Sequence, residues 1–248
     1  MDQESQREFL KDNIRLKLDF SQMDQHRGVA PPPVEKPFDE NAERVDLVSP
    51  DEWTKPPAID LTSAIKNRES RRNYLDQPLS IEELSYLLWA TQGVRSQRMS
   101  GSVLRTVPSA GCRHAFETYL AVFNVDGLNG GIYRYLPLEH QLLFEFEEVD
   151  LSQKLSEAAL RQGFTGRSAV TFIWTAIPYR MEWRYGLASY KVMAIDAGHV
   201  AQNLYLACEA IGAGTCAIAA YFQELMDQLL RVDGKEEFVI YLAPVGKV

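Results

Sequence analysis

Cysteine is scarce: Cys112, Cys208 and Cys216 are the three in a chain of 248 residues, and none falls in a C-x-x-C or metal-ligand spacing. That excludes a disulfide framework and a zinc ribbon, and it fits reduced thiols in a cytoplasmic protein. Long apolar runs are missing as well. No run approaches the roughly 18 residues of a membrane span, and the N-terminus is charged where a secretory segment would be apolar. Positive charge is in short supply, with 26 Lys and Arg against 34 Asp and Glu and a formal net charge of −8. A chain of this sign is not drawn to nucleic acid or to an anionic membrane, so any anion site has to be local. Signatures of self-sufficient chemistry are absent too. There is no G-x-S-x-G elbow, no H-E-x-x-H, no Walker loop, no G-x-G-x-x-G after a strand, and no spacing that marks a metal site.

What the sequence does contain is a basic knot in this acidic background. Asn67–Tyr74 reads N-R-E-S-R-R-N-Y, with three arginines and a serine within five residues. On an extended segment Arg68, Ser70 and Arg72 share one face, while Arg71 and Asn73 take the other. Two guanidinium forks and a hydroxyl converging on one point suit a phosphate. The same run also suits the solvated end of a helix, where Lys66, Arg68, Arg71 and Arg72 complement the macrodipole. A second feature is Arg105–Gly111, R-T-V-P-S-A-G, a loop whose small side chains allow a flat ligand to come close. A phosphate clamp and a slot for a ring together indicate that a bound cofactor carries the chemistry.

The organisation is α+β. A hydrophobic content of 46% supports one large domain rather than two small ones. Residues 1–58 stand apart: an amphipathic helix over Glu4–Leu18, then a proline-rich arm that includes Pro31–Pro33, Pro37, Pro50, Pro56 and Pro57. The arm is expected to lie extended on the domain or on a partner subunit, or to hang as a loose tail. From residue 59 the pattern predicts helices over Ile59–Lys66, from Ser80 to Gly93 with a capping box to Glu83, over Leu151–Arg161, over Ser189–Ile211 and over Phe222–Leu230. Strands are predicted at Thr118–Val125, Gly131–Tyr135, Gln141–Phe146, Ala169–Ile177, Cys216–Ala219 and Phe238–Val245. The Ser189–Ile211 helix is apolar or small on nearly every side, which predicts burial all round. Its strip Ala194, Ala197, Gly198, Ala201 would let a symmetry mate approach, and Asp196, His199, Gln202 and Asn203 read as a structural hydrogen-bond network.

Six pieces of the sequence, taken in order, carry a family resemblance: Arg68–Tyr74, Ser80–Gly93, Arg105–Gly111, Asp126–Tyr135 (D-G-L-N-G-G-I-Y-R-Y), Ala194–Ala207 (A-I-D-A-G-H-V-A-Q-N-L-Y-L-A) and Pro244–Lys247. Together they resemble the nitroreductase family, and within it the SagB-type dehydrogenase branch, over about residues 59–248. The resemblance implies a central, mostly antiparallel sheet flanked by helices, with the long helix at a homodimer interface. It also implies FMN as cofactor, NADH or NADPH as electron donor, and a small organic acceptor such as a nitro or quinone compound. Carried over by position, Arg68 and Ser70 hold the ribityl phosphate, with Glu69 between them where the family is more often basic or neutral. Arg72 lies by the N1/O2 edge, where a guanidinium favours negative charge and raises the reduction potential. Pro108, Ser109, Ala110 and Gly111 match the loop that reaches the flavin of the other subunit. Ala219 and Ala220 match the backbone that meets N5 and O4, and Lys247 matches a C-terminal base near the phosphate. Arg113 would receive an anionic substrate at the mouth of the site, or else pair with Glu117. No protein group is expected to act as nucleophile. Two other readings stay open: an azoline-type peptide dehydrogenase, for which Tyr190-Lys191 has the branch's base pair in reversed order, and a flavin-binding module without turnover.

Overall fold

The computed structural model describes residues 2–54, 57–97 and 102–248; Pro56, part of the expected arm, lies outside these described residues. In chain order the helices are α1 (Gln3–Leu10), α2 (Leu61–Asn67), α3 (Ile81–Gln92), α4 (Leu151–Ala158), α5 (Tyr179–Tyr185), α6 (Ser189–Ala210) and α7 (Gln223–Leu229). The strands are β1 (Arg44–Asp46), β2 (Val94–Gln97), β3 (Val103–Arg105), β4 (Phe116–Val122), β5 (Gly131–Leu136), β6 (Gln141–Phe146), β7 (Val170–Ala176), β8 (Ala213–Thr215) and β9 (Phe238–Lys247).

Strands β4 and β7 are mostly apolar and buried along their whole length, which places them in the middle of a sheet covered on two sides. The order is β1-β6-β5-β4-β7-β9-β8, with every neighbouring pair antiparallel. Leu120, Val122, Phe172 and Trp174 pack against α3 and α6, while Tyr119, Ala121 and Ile173 pack against α4 and α7. Each such side chain removed from water contributes about 1.5–3 kcal/mol. The α+β class and the antiparallel sheet with flanking helices are therefore as expected. The predicted capping box is present: the Ser80 hydroxyl accepts from Glu83 N–H, and the Glu83 carboxylate accepts from Ser80 N–H.

Three expectations are revised, and some elements had not been expected. The helix expected over Glu4–Leu18 stops at Leu10 and continues as a 3-10 turn over Asn13–Lys17, because α1 buries no residue and so has no packing to hold its length together. The short strand lies at Ala213–Thr215 rather than Cys216–Ala219, leaving Ile218 as a single bridge to Leu242. Helix α5 and the β2–β3 pair had no clear sequence signal. Helix α6 is buried on one side only. Ala197 and Ala201 enter the core, whereas Ala194, Ile195, Gly198, His199 and Gln202 are exposed, so the small-residue strip is divided between core and surface.

The arm lies on the body of the domain, fixed by buried arginines that reach its backbone. Arg105 donates to Val34 O at 2.8 Å, and Arg134 donates to Lys36 O at 2.8 Å and Pro37 O at 3.3 Å. Lys36 N–H donates to Glu117 at 2.8 Å, and its ammonium pairs with Glu237 at 2.6 Å. Leu138 N–H donates to the buried Glu35 carboxylate at 3.1 Å. Further along, the Trp53 indole packs edge-on against Tyr86 and Trp89 and donates to Val48 O.

Candidate functional site

The basic knot begins where α2 ends. Arg68 is the C-cap of that helix, and its guanidinium lies 5.4 Å over the ring of Tyr205 on α6. The same tyrosine hydroxyl is 2.9 Å from the Ser70 hydroxyl and accepts from Ala217 N–H at 2.9 Å, so one side chain fixes the knot to the body. Ser70 bridges Thr215, and Arg71 N–H donates to Thr215 O at 2.9 Å. This flat contact needs glycine beneath it: a Cβ on Gly214 would stand 2.5 Å from Arg71 Cγ, and one on Gly246 would stand 2.8 Å from Tyr74 Cγ. The two faces differ as the alternation requires. Arg71 lays its stem against Gly214 and pairs with Glu69 at 2.9 Å, whereas neither Arg68 nor Arg72 has a carboxylate partner among the described residues. Glu69, the other candidate of the knot, is exposed and has its carboxylate paired with Arg71. Two guanidinium groups without a carboxylate partner among the described residues, with a hydroxyl between them in the sequence, could hold a phosphate.

Arg72 is exposed, lies 5.9 Å over the Phe164 ring, and is the one candidate residue that also lines an adjoining cavity of about 650 Å³. The walls of that cavity include Asn73, Tyr74, Asn124 and Arg167. Ala219 and Ala220 are exposed, which leaves their backbone accessible. Gln162 supports them, donating to Ala220 O at 2.9 Å and Ala159 O at 2.8 Å. Gln162 and Tyr205 were missed in the sequence. Tyr205 could have been found, because a tyrosine in a largely buried helix needs a partner for its hydroxyl; Gln162 sits in an irregular turn with no motif around it. Lys247 is mostly buried, its ammonium bonded to Glu83 at 2.6 Å and to Ile211 O at 2.7 Å, and so it ties β9 to the first turn of α3.

The small-residue loop is held from another side. Asp196 on α6 accepts from Ala110 N–H at 3.1 Å and is hydrogen-bonded by Ser109. Burial raises the Asp196 carboxyl above its ordinary range. Ser109 Oγ in turn accepts from His114 N–H at 2.9 Å. Gly111 adopts φ 60°, and a Cβ there would stand 2.5 Å from the Tyr185 hydroxyl. Pro108 and Gly111 are exposed, with Ser109 and Ala110 half-buried between them. Arg113 departs from both of its expected roles. It is 5% exposed, stacks 4.7 Å over Trp183, and donates to Arg180 O at 3.0 Å. The Glu117 carboxylate is taken instead by Arg180 and Arg134. Next to it, burial and the nearby Arg105 push His114 down to about 3, so its ring is neutral.

The nitroreductase family profile matches residues 65–247. The chain belongs to the nitroreductase family. A Methanocaldococcus jannaschii protein assigned by name to the nitroreductases is 33% identical over 189 residues, covering 76% of this chain and 91% of that one. The trifolitoxin-processing protein TfxB of Rhizobium leguminosarum bv. trifolii is 29% identical over 155 residues, which are 60% of this chain but 41% of TfxB. A solved structure from Ralstonia eutropha JMP134, also assigned to the nitroreductases, superimposes with a TM-score of 0.69 at 25% identity, covering 88% of this chain and 98% of that one. The E. coli microcin synthetase complex shares the fold with a TM-score of 0.60 at 22% identity, over 84% of this chain and 79% of that one.

In this nitroreductase-family chain the two halves of the candidate site hang on the same helix but on opposite flanks. Asp196 anchors the loop and Tyr205 anchors the knot. Nine residues at about 100° each put these two side chains about 180° apart and about 13 Å along the axis. Between the flanks runs the exposed stripe of Ile195, Gly198 and Gln202. Among the described residues no group of His, Cys, Asp and Glu could hold a metal ion, and no helix is long and apolar enough to cross a membrane.

Proposed function

We propose that this nitroreductase-family oxidoreductase binds FMN and passes electrons from NADH or NADPH to a small organic acceptor such as a nitro or quinone compound. The carrying observation is the knot itself: Arg68, Ser70 and Arg72 alternate along one short segment, and neither guanidinium has a carboxylate partner among the described residues. When bound, FMN supplies hydride acceptance and donation at N5. The chain's own work is to bind and orient. Arg68 and Ser70 neutralise the phosphate, and Tyr205 keeps both in place. Arg72 sets positive charge at the N1/O2 edge, and the Ala219–Ala220 backbone, braced by Gln162, faces N5 and O4. Pro108–Gly111 forms a wall on which Asp196 fixes the backbone.

We take the working unit to be a homodimer. The opposite flanks of α6 support this, because one chain alone turns the knot and the loop away from each other, and a second copy would bring its loop to the first copy's knot. Residues 59–248 form the FMN-binding domain in this reading, and residues 1–58 the arm. Three unpaired cysteines support a reducing, cytoplasmic compartment. The visible spectrum of the purified protein tests the proposal. A bound flavin that NADH or NADPH bleaches without oxygen is the expected result; a colourless protein that takes up no FMN would refute it. A flavin reduced by dithionite but by neither nucleotide would mean a binding module without turnover. The TfxB similarity favours a second reading, oxidation of a modified peptide. Under that reading Lys191 would have to serve without a following tyrosine, since Val192 stands there.

A further inference from the structure

The geometry points to the corner between α5 and α6, with the N-terminal segment folded against it, as the recognition site for an acceptor that carries a carboxylate on an apolar body. This inference rests on the oxidoreductase reading and adds the class of acceptor. A cavity of about 280 Å³ lies between Phe9, Ile14 and Lys17 on one side and Leu187, Ala188 and Lys191 on the other. Phe9 and Leu187 are 49% and 58% exposed, so a ring or short acyl chain seated there would cover apolar surface now facing water. The two carboxylates of the cavity are already neutralised, Glu8 by Lys11 and Asp12 by Arg15. Lys17, whose charge also acts on Glu8, and Lys191 form no close ion pair among the described residues, so the cavity carries more cations than carboxylates.

The same corner adjoins the small-residue loop. Tyr185 is flanked by Arg15 at 5.7 Å and Arg184 at 5.4 Å, and Arg184 too has no carboxylate partner among the described residues. Tyr185 Oη and Arg184 Cδ would stand 2.5 and 3.0 Å from a Cβ on Gly111, so the cations begin where the loop ends. Three unpaired cations in one corner of a chain with net charge −8 make a local field that draws an anion. The cavity holds a single ring or a short acyl chain, whereas sites for larger ligands run to about 1,000 Å³. A small carboxylate fits inside it.

Titration of the full chain with 4-nitrobenzoate and with nitrobenzene, followed by heat or tryptophan fluorescence, tests the inference. The wild type should bind the carboxylate roughly tenfold more tightly at low salt, with the preference shrinking as salt rises. Lys17→Ala, Arg184→Ala and Lys191→Ala should each reduce that preference roughly twofold to fivefold. Equal affinity for the two probes, or a preference that none of the three substitutions changes, would overturn it. So would substitutions that weaken NADPH relative to NADH while leaving the nitrobenzoate preference intact, because the cations would then serve the donor's phosphate. Flavin content is read from the visible absorbance of the same samples. Loss of the oxidoreductase reading therefore shows as absent flavin, and loss of the acceptor site shows in the titration.

Discussion

Arg68 and Arg71 are three residues apart and have different tasks. Arg68 has no carboxylate partner among the described residues and is proposed to bind the phosphate, where a charge-assisted bond contributes about 1.5–3 kcal/mol. Arg68→Ala should therefore weaken FMN binding roughly tenfold to a hundredfold, measured by equilibrium titration of the apoprotein. The stem of Arg71 packs on Gly214 and its head pairs with Glu69, so Arg71→Ala should lower thermal stability while leaving FMN affinity within about twofold. Equal losses of affinity in both variants would mean that the two faces are not distinct. A third residue governs pH. Burial, with Glu139 and Glu117 adding like charge, raises Glu35 from 4.5 to about 7. The folded state thus holds a proton that the unfolded chain releases earlier, so this contribution is full below about pH 4.5 and is lost as pH rises through 7. Glu35→Gln keeps the acceptor for Leu138 N–H and removes the charge. Its Tm relative to wild type should rise between pH 5 and pH 8 by a few degrees, since about 1 kcal/mol moves Tm by about 2–4 °C in a domain of this size.

Helix α6 is the element from which both halves of the site are suspended. Asp196→Ala removes the acceptor for Ala110 N–H and the partner of Ser109, so amide exchange across Ser109–Cys112 should accelerate roughly tenfold to a hundredfold, as loss of a charge-assisted bond implies. Asp196→Asn keeps an acceptor and should recover most of the protection. Unchanged exchange in the alanine variant would show that the loop is held by other contacts. The elements themselves were largely legible: Ser80 and Glu83 announce α3, and the β-branched and aromatic runs announce β4 and β7. Side-chain destinations were not. Lys247 looks like a free C-terminal base until Glu83 comes beside it from 164 residues away. Arg113 looks like a surface cation until Trp183, supplied by the unread helix α5, takes its guanidinium. Local sequence sets where a side chain starts, and long-range packing decides what it meets.

At the scale of the whole molecule, the exposed stripe of α6 is the proposed contact between two copies. Gly198 tests it cleanly, because a Cβ there meets nothing within 4 Å in its own chain. Gly198→Leu should stabilise the isolated helix by about 1 kcal/mol, yet obstruct a close helix–helix approach. Sedimentation at low micromolar concentration should then show monomer and released FMN where the wild type is dimeric and yellow. A variant that stays dimeric with its flavin would place the interface elsewhere, and a monomeric wild type that keeps its flavin would remove the shared site altogether. The arm imposes a different constraint, one of timing. The Lys36–Glu237 pair joins residues 201 positions apart. At about 5–20 residues per second, a ribosome needs about 10–40 s to make Glu237 after Lys36. During that interval Lys36 lacks its carboxylate, and β9 has not yet filled its place beside β7. The arm therefore waits for its last partner long after Arg105 and Arg134 have been made, and slowing synthesis over residues 200–237 should lengthen the period in which nascent chains are captured by chaperones or cut within the arm.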